Sequence, residues 1–356
     1  MKRHICYIVC VLCILSALTG CGGPGTPAAT GTPAHITLKV YNWAEYIDET
    51  VIKRFEQEYP WITVSYDVFA NNEEMFAQVK ADPMRCDVAF PSDYIIEKMI
   101  SEDLIAKLDK NNIPNFKYII NYCKNRDFDP DNAYSVPYMW GTVGILYNKT
   151  MVDANDVKSW NVLWDKKYAK KIYMYDSVRD AVGIALKKLG YSMNTRNKDE
   201  LYAARDALIA QKPLVLAYAG DDVKDKMISN NAALALVYSG DAIECMTNNK
   251  DLAYSVPEEG SNLWFDNMVV LKNSPNKEAA ELFINYLCRP DIAAKNAKYI
   301  GYSSPNSEAM KTLGEAYLNN PVTNPPKDVL SRCEVYRDLG DYTSVYNDIW
   351  IEIKAS

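Results

Sequence analysis

A chain of 356 residues, 48% hydrophobic and 24% charged, is long enough for two domains with substantial cores and has the balance of a globular rather than a disordered protein. Its formal charge of −7 repels phosphate backbones and favours cationic partners, so nucleic acid is not an expected partner. The two histidines, His4 and His35, fall in the leader and in a linker. The expected folded body therefore has none, which excludes histidine-based triads, acid–base histidines and histidine-ligated zinc together.

Residues 1–20 read as a lipoprotein leader. Lys2 and Arg3 precede an apolar run over 5–18 that is too short for a comfortable membrane span, and Leu18-Thr19-Gly20-Cys21 forms a lipobox. Processing there leaves Cys21 as an acylated amino terminus, anchored to the membrane outside the cytoplasm, and a mature chain of 37 basic and 46 acidic residues, net −9. The Gly/Pro/Thr/Ala stretch 22–34 serves as a flexible leash, so 21–35 is expected to be lipidated cysteine plus linker. Cys6, Cys10 and Cys13 belong to the leader. Cys86, Cys123, Cys245, Cys288 and Cys333 lack Cys-x-x-Cys spacing, and their odd number suits buried small hydrophobes better than disulfides.

The body opens with an alternating strand over 36–40, followed by Tyr41-Asn42-Trp43-Ala44-Glu45-Tyr46, where aromatics meet a carboxylate. This stretch reads either as a recognition loop for a cation or as an aromatic plug over the first helix. Helical spacing follows over 49–59, a strand over 62–69, a helix over 71–81, a short apolar strand over 86–90 and a helix over 95–102. Residues 134–147 are too apolar for a surface loop and read as two extended halves around Gly141, a crossover between lobes. Next come a strand over 172–175, helices over 180–189 and 199–211, and strands over 214–218 and 233–238. Residues 263–271 read as a second crossover, and helices are expected over 277–287 and 342–354. Alternating strands and helices argue for open, mostly parallel sheets.

Ligands of such sheets sit outside the carboxyl ends of the strands. The tips carry Trp43, Glu45 and Tyr46; Ser92, Asp93 and Tyr94; Asp176, Ser177 and Asp180; Tyr238 and Asp241; and Trp264 with Asp266. Any one of these reads equally as a helix N-cap or a solvated acid. Five tips that each carry a carboxylate, most of them beside an aromatic, point instead to a site for a cationic ligand.

The blocks YNWAEYI, CDVAFPSDYIIEKM, YSVPYMWGTVGILYNK, YDSVRDAVGIALKKLGYS, ALVYSGDA, LWFDNMVVLKNSPNKEAAELFINYLCRPD and IGYSSPN resemble those of the polyamine-binding (spermidine/putrescine) proteins of bacterial ABC importers, over about 36–355. The resemblance implies an α/β, two-lobed periplasmic-binding-protein fold of type II, with each lobe a mostly parallel sheet flanked by helices and the lobes joined by crossing strands. Lobe 1 is expected over 36–142 plus 266–311 and lobe 2 over 143–265 plus 312–356. The ligand-contacting positions it implies are Trp43, Glu45, Tyr46, Ser92, Tyr94, Asp180, Tyr238, Trp264, Asp266 and Tyr302. Ser177 stands where a spermidine binder has an acid, Tyr238 where it has tryptophan and Tyr336 where it has glutamine, while Asp241 matches an acid of putrescine-preferring relatives. Ligand length is thus left open.

In the expected mechanism Asp266 holds one amine, with Asp241 and Asp180 nearby, and Glu45 or Asp93 takes the other end. Arg179 is read as an internal partner orienting carboxylates. Implied partners are spermidine or putrescine, the permease of an ABC importer and, through Cys21, the membrane. A monomer without cofactor or metal is expected. The alternatives are a binder of another small cation or solute and a carboxylate-dependent hydrolase.

Overall fold

Leu38 and Val40 point into the core from β1 (Ile36–Trp43), and the computed structural model, which describes residues 34–356 except Asp221, shows that this strand runs past the expected end. The leader, Cys21 and nearly all of the linker lie outside the described residues. Tyr41 and Asn42 are buried in the strand and pair with Asp67 and Val68 of a parallel neighbour, so the loop begins only after Trp43. Tyr41 is therefore a core residue, its hydroxyl donating to Gln78 at 3.0 Å.

After β1 come α1 (Glu49–Glu58), β2 (Ile62–Phe69), α2 (Asn72–Ala81), β3 (Val88–Ala89) and α3 (Asp93–Ser101). Asp48 caps α1 by accepting from Thr50 N–H at 2.8 Å, and Asn71 caps α2 in the same way through Glu74 N–H. β4 (Ser135–Asn148) is one continuous strand buried along its whole length, without the break expected at Gly141. The chain then forms β5 (Ile172–Tyr175), α4 (Val178–Lys188), α5 (Lys198–Gln211), β6 (Val215–Ala219), α6 (Val223–Ile228), β7 (Leu234–Tyr238), α7 (Ser239–Asn248) and β8 (Leu252–Ser255). It closes with β9 (Leu263–Val270), α8 (Lys277–Leu287), α9 (Pro290–Ile300), α10 (Ser307–Leu313), α11 (Glu315–Leu318), α12 (Lys327–Leu330) and α13 (Tyr342–Ala355).

The strand order is β2-β1-β3-β9-β4-β7-β5-β6, with β8 also on β4. β1, β2 and β3 are parallel to one another, as are β5, β6 and β7. The expected crossover stretches are β4 and β9, which run antiparallel to their neighbours. β4 pairs with β9 from Ser135 to Thr142, then with β7 and β8 from Val143 onward, so two sheets share one strand. Parallel strands put their carboxyl ends on one side, which brings the tips of β1 and β3 together, and likewise those of β5 and β7.

Under the first sheet, Phe55 of α1 meets Phe283 and Tyr286 of α8 edge to face at 5.0 and 5.1 Å. A fully buried ring of this kind contributes about 2 to 3 kcal/mol. Cys86, Cys123, Cys245 and Cys288 are buried thiols and Cys333 a half-buried one. Burial pushes Cys245 and Cys288 up to about 12, so they behave as small apolar side chains.

Candidate functional site

Asp266 projects from β9 and is 7% exposed. Its Oδ2 accepts the Tyr46 hydroxyl at 2.7 Å and its Oδ1 the Ser92 hydroxyl at 2.6 Å. Ser92 occupies the N-cap position of α3 but makes no side-chain cap bond: its hydroxyl donates to Asp266 and its oxygen accepts from Asn72 Nδ2 at 3.0 Å. Burial raises the Asp266 carboxyl to about 6, against the pull of the Ser92 and Tyr46 donors.

Strand periodicity places Trp264 on the face of β9 that carries Asp266. Its ring meets Tyr302 at 5.0 Å and Tyr238 at 6.0 Å, both edge to face, and Tyr302 in turn meets Tyr46 at 5.8 Å. Two glycines place Tyr302. Gly301 ends α9 in the left-handed region at φ 85°, and Gly240 lets the ring press onto α7, where a Cβ would stand 1.5 Å from Tyr302 Cδ1.

Asp180 lies in the first turn of α4, where the helix dipole favours a carboxylate. Its Oδ2 accepts the Tyr238 hydroxyl at 2.7 Å and its Oδ1 the Tyr336 hydroxyl at 3.1 Å. Tyr336 has one hydrogen to share between Asp180 and the Arg179 carbonyl at 2.9 Å. Asp241, in the first turn of α7, accepts the Tyr302 hydroxyl at 3.2 Å. A single line of contacts thus runs Ser92, Asp266, Tyr46, Tyr302, Trp264, Tyr238, Asp180, Tyr336. Among the described residues no Lys or Arg forms an ion pair with Asp266 or Asp180; their donors are neutral hydroxyls.

Residues 50–324 match the family described as bacterial extracellular solute-binding protein. The chain belongs to this family. Among its relatives is the spermidine/putrescine-binding periplasmic protein of Salmonella typhimurium, 34% identical over 320 residues, which cover 90% of this chain and 92% of the relative. A putative spermidine/putrescine ABC transporter from Listeria monocytogenes superposes with a TM-score of 0.85 at 42% identity, over 89% of this chain and 98% of the other. The spermidine/putrescine ABC transporter substrate-binding protein PotD of Streptococcus pneumoniae does so at 0.79 and 38%, over 90% and 98%. This solute-binding protein therefore has the two-lobed α/β fold.

Four of the predicted positions stand apart from the solute-binding protein's line of acids and rings. Trp43 donates Nε1–H to the Phe90 carbonyl at 2.8 Å and packs on Phe69 at 4.6 Å. Glu45 is exposed on the loop after β1, with φ 52°. Asp93 is fully buried, and its two oxygens accept Tyr94 N–H at 2.8 Å and Phe265 N–H at 3.0 Å, tying α3 to β9. Burial lifts its carboxyl to about 8, against the pull of those two N–H donors. Ser177 caps α4 by accepting from Asp180 N–H at 3.3 Å.

Tyr94 joins the line through its ring, edge to face with Tyr336 at 6.1 Å, and donates its hydroxyl to Glu73 at 2.8 Å. Arg179 orients no carboxylate. Its guanidinium donates to the Arg337 carbonyl at 3.1 Å and Asn194 Oδ1 at 3.0 Å and lies 4.2 Å from the Tyr336 ring. A cavity of about 140 Å³ beside it is lined by Glu73, Tyr94, Lys98, Arg179, Asp338 and Tyr346. Sequence reasoning missed Glu73, and it missed Tyr175, whose ring meets Tyr238 at 5.0 Å. At the tip of β5 it took Asp176 instead, which is held by Lys354 at 2.9 Å.

Proposed function

We propose that this solute-binding protein captures a polyamine, spermidine or putrescine, between its lobes and delivers it to the permease of an ABC importer. The observation that carries this reading is the pair of buried carboxylates, Asp266 and Asp180, which are held by hydroxyls and flank the Trp264 ring row. A buried carboxylate without a cation is under-compensated, and an ammonium supplies the missing charge. Hydroxyl donors leave lone pairs on each carboxylate for it.

The energies are consistent with such a ligand. Four methylenes against rings contribute about 3 kcal/mol, each well-placed ring adds about 0.5 to 2 kcal/mol of cation–π attraction, and micromolar affinity needs about 8 kcal/mol. Carboxylate pairing and lobe closure supply the remainder. Tyr46, Ser92, Tyr238, Trp264, Tyr302 and Tyr336 are assigned as walls and acid-holders, with Tyr94 and Asp241 at the margins. We read the chain as a monomeric binder and not an enzyme, and Cys21 as its lipid anchor outside the cytoplasm. Among the described residues no helix is long and apolar enough to cross a membrane.

The test is titration calorimetry of the mature protein, stripped by unfolding and refolding, with putrescine, cadaverine, spermidine and spermine. Binding of at least one is expected. No heat and no melting-point change with any of the four would overturn the reading. Mass spectrometry of the membrane-extracted amino-terminal peptide tests acylation of Cys21.

A further inference from the structure

Beside the ring row the chain supplies an ammonium of its own, Lys224, held by Glu244. On α7, Asp241 and Glu244 stand three residues apart and so share a helix face. Asp241 joins the row through the Tyr302 hydroxyl at 3.2 Å. Glu244 holds Lys224 Nζ at 2.9 Å, with the lysine side chain only 20% exposed. α6 brings Lys224 there, packed on α7 where the Cys245 thiol meets the Lys224 carbonyl at 3.8 Å. Burial opposes the charge on Lys224, but Glu244, Asp241 and, from the loop after β1, Glu45 outweigh it and raise the lysine's pKa. Asp266 and Asp180 differ in kind, since among the described residues their side chains are held by hydroxyls.

We infer that Lys224 is a built-in ammonium on the Asp241 flank of the site, and that it sets the ligand's charge count, favouring a diamine over a triamine. The inference rests on the polyamine reading. Two buried carboxylates, with no basic ion-pair partner among the described residues, match two ligand ammoniums. The third acid bonded to the row is Asp241, and a third ammonium placed there meets the like charge of Lys224; like-charge juxtaposition is an effective means of discrimination. The flexible four-carbon stem of lysine suits this role, because it brings a compact charge to an acid pair without a rigid fork.

The experiment compares stripped wild-type protein with Lys224→Gln, Lys224→Arg and Glu244→Gln by calorimetric titration with putrescine and spermidine. Wild type is expected to prefer putrescine. Lys224→Gln should move the affinity ratio toward spermidine by about tenfold or more, whereas Lys224→Arg, which keeps the charge, should leave it within about twofold. Glu244→Gln keeps Lys224 and should not move the ratio toward spermidine. A ratio in Lys224→Gln within about twofold of wild type, a wild type that prefers spermidine, or the same drift in Glu244→Gln would overturn the inference while leaving polyamine binding standing. A wild type that binds neither amine defeats the polyamine reading and the inference with it.

Discussion

Replacing Asp266 with asparagine keeps the side-chain shape and removes its charge. In the folded chain burial raises this carboxyl from 3.8 to about 6, so the native state holds the proton more tightly than the unfolded state does. A carboxyl displaced in that direction contributes its full stability below 3.8 and loses it as pH rises through 6. Above that range the buried carboxylate costs the unliganded protein about 3 kcal/mol. Asparagine avoids that cost but offers one oxygen to two hydroxyls, Tyr46 and Ser92, and the donor left without an acceptor takes back about 1 kcal/mol.

Unliganded Asp266→Asn should therefore be more stable than wild type by about 2 kcal/mol near neutral pH, a gain of a few degrees in Tm, and the gain should vanish by about pH 4. Urea unfolding of both proteins across this pH range measures it. The same variant should bind polyamine about 150- to 4,000-fold more weakly, the equivalent of the 3 to 5 kcal/mol lost when one partner of a buried pair is removed. A variant less stable than wild type at neutral pH, or a stability difference that does not change with pH, would refute the view of Asp266 as a strained acid awaiting a cation. Unchanged affinity would refute its role in binding.

Trp264→Leu removes the central ring against which Tyr302 and Tyr238 pack and should weaken polyamine binding by about 1 to 3 kcal/mol, read by calorimetry. Gly240→Ala places a methyl where the Tyr302 ring now sits, 1.5 Å from Cδ1; the expected outcome is a stability loss of about 1 to 3 kcal/mol together with weaker binding. Glu97 accepts Arg337 through both oxygens, at 2.6 and 3.0 Å, and Asp338 N–H at 2.8 Å. Burial opposes its charge, yet these donors hold its carboxyl below the ordinary 4.5, so the stabilisation is present above that value and lost as pH falls through the depressed one. Glu97→Gln should cost about 1 kcal/mol at neutral pH after allowance for solvent screening, and less in acid. On the expected division of the chain this contact joins the two lobes, and small-angle scattering should then report a larger unliganded radius.

What could be read from the sequence depended on how strongly each stretch announces its burial. β4 and β9 were legible because an apolar run of eight or more residues bounded by turn signals has few other places to go. α9 escaped notice because its buried face is Ile292, Ala293, Ala294, Asn296 and Ala297, and alanine hardly registers as hydrophobic. α7 begins Ser-Gly-Asp and ends Thr-Asn, weak helix formers, so its termini give little sign of a helix. At the tips, residue type was readable but side-chain direction was not. Ser92 and Ser177 both sit at helix N-caps; one turns its hydroxyl to Asp266 and the other accepts its own helix's N–H. Asp93 is adjacent to Ser92 yet faces the backbone of β9. Such choices depend on the partner strand, which no local pattern specifies.

The choice of hydroxyls to hold Asp266 and Asp180 has a consequence for capture and release. Elsewhere in the same chain acids are held by cations, as Asp176 is by Lys354 at 2.9 Å and Glu97 by Arg337 at 2.6 Å. A ligand ammonium arriving at an acid of that kind would have to break an existing ion pair, and the gain would largely cancel. A phenol or serine hydroxyl instead fixes the carboxylate's orientation, keeps its negative charge uncompensated and leaves lone pairs open. The free-energy cost of keeping that charge buried is borne by the unliganded state and is relieved when the cation binds. On the proposed reading, binding and lobe closure are then driven by the same two carboxylates. On that reading Tyr46, Ser92, Tyr238 and Tyr336 are as much a part of charge recognition as the acids they hold.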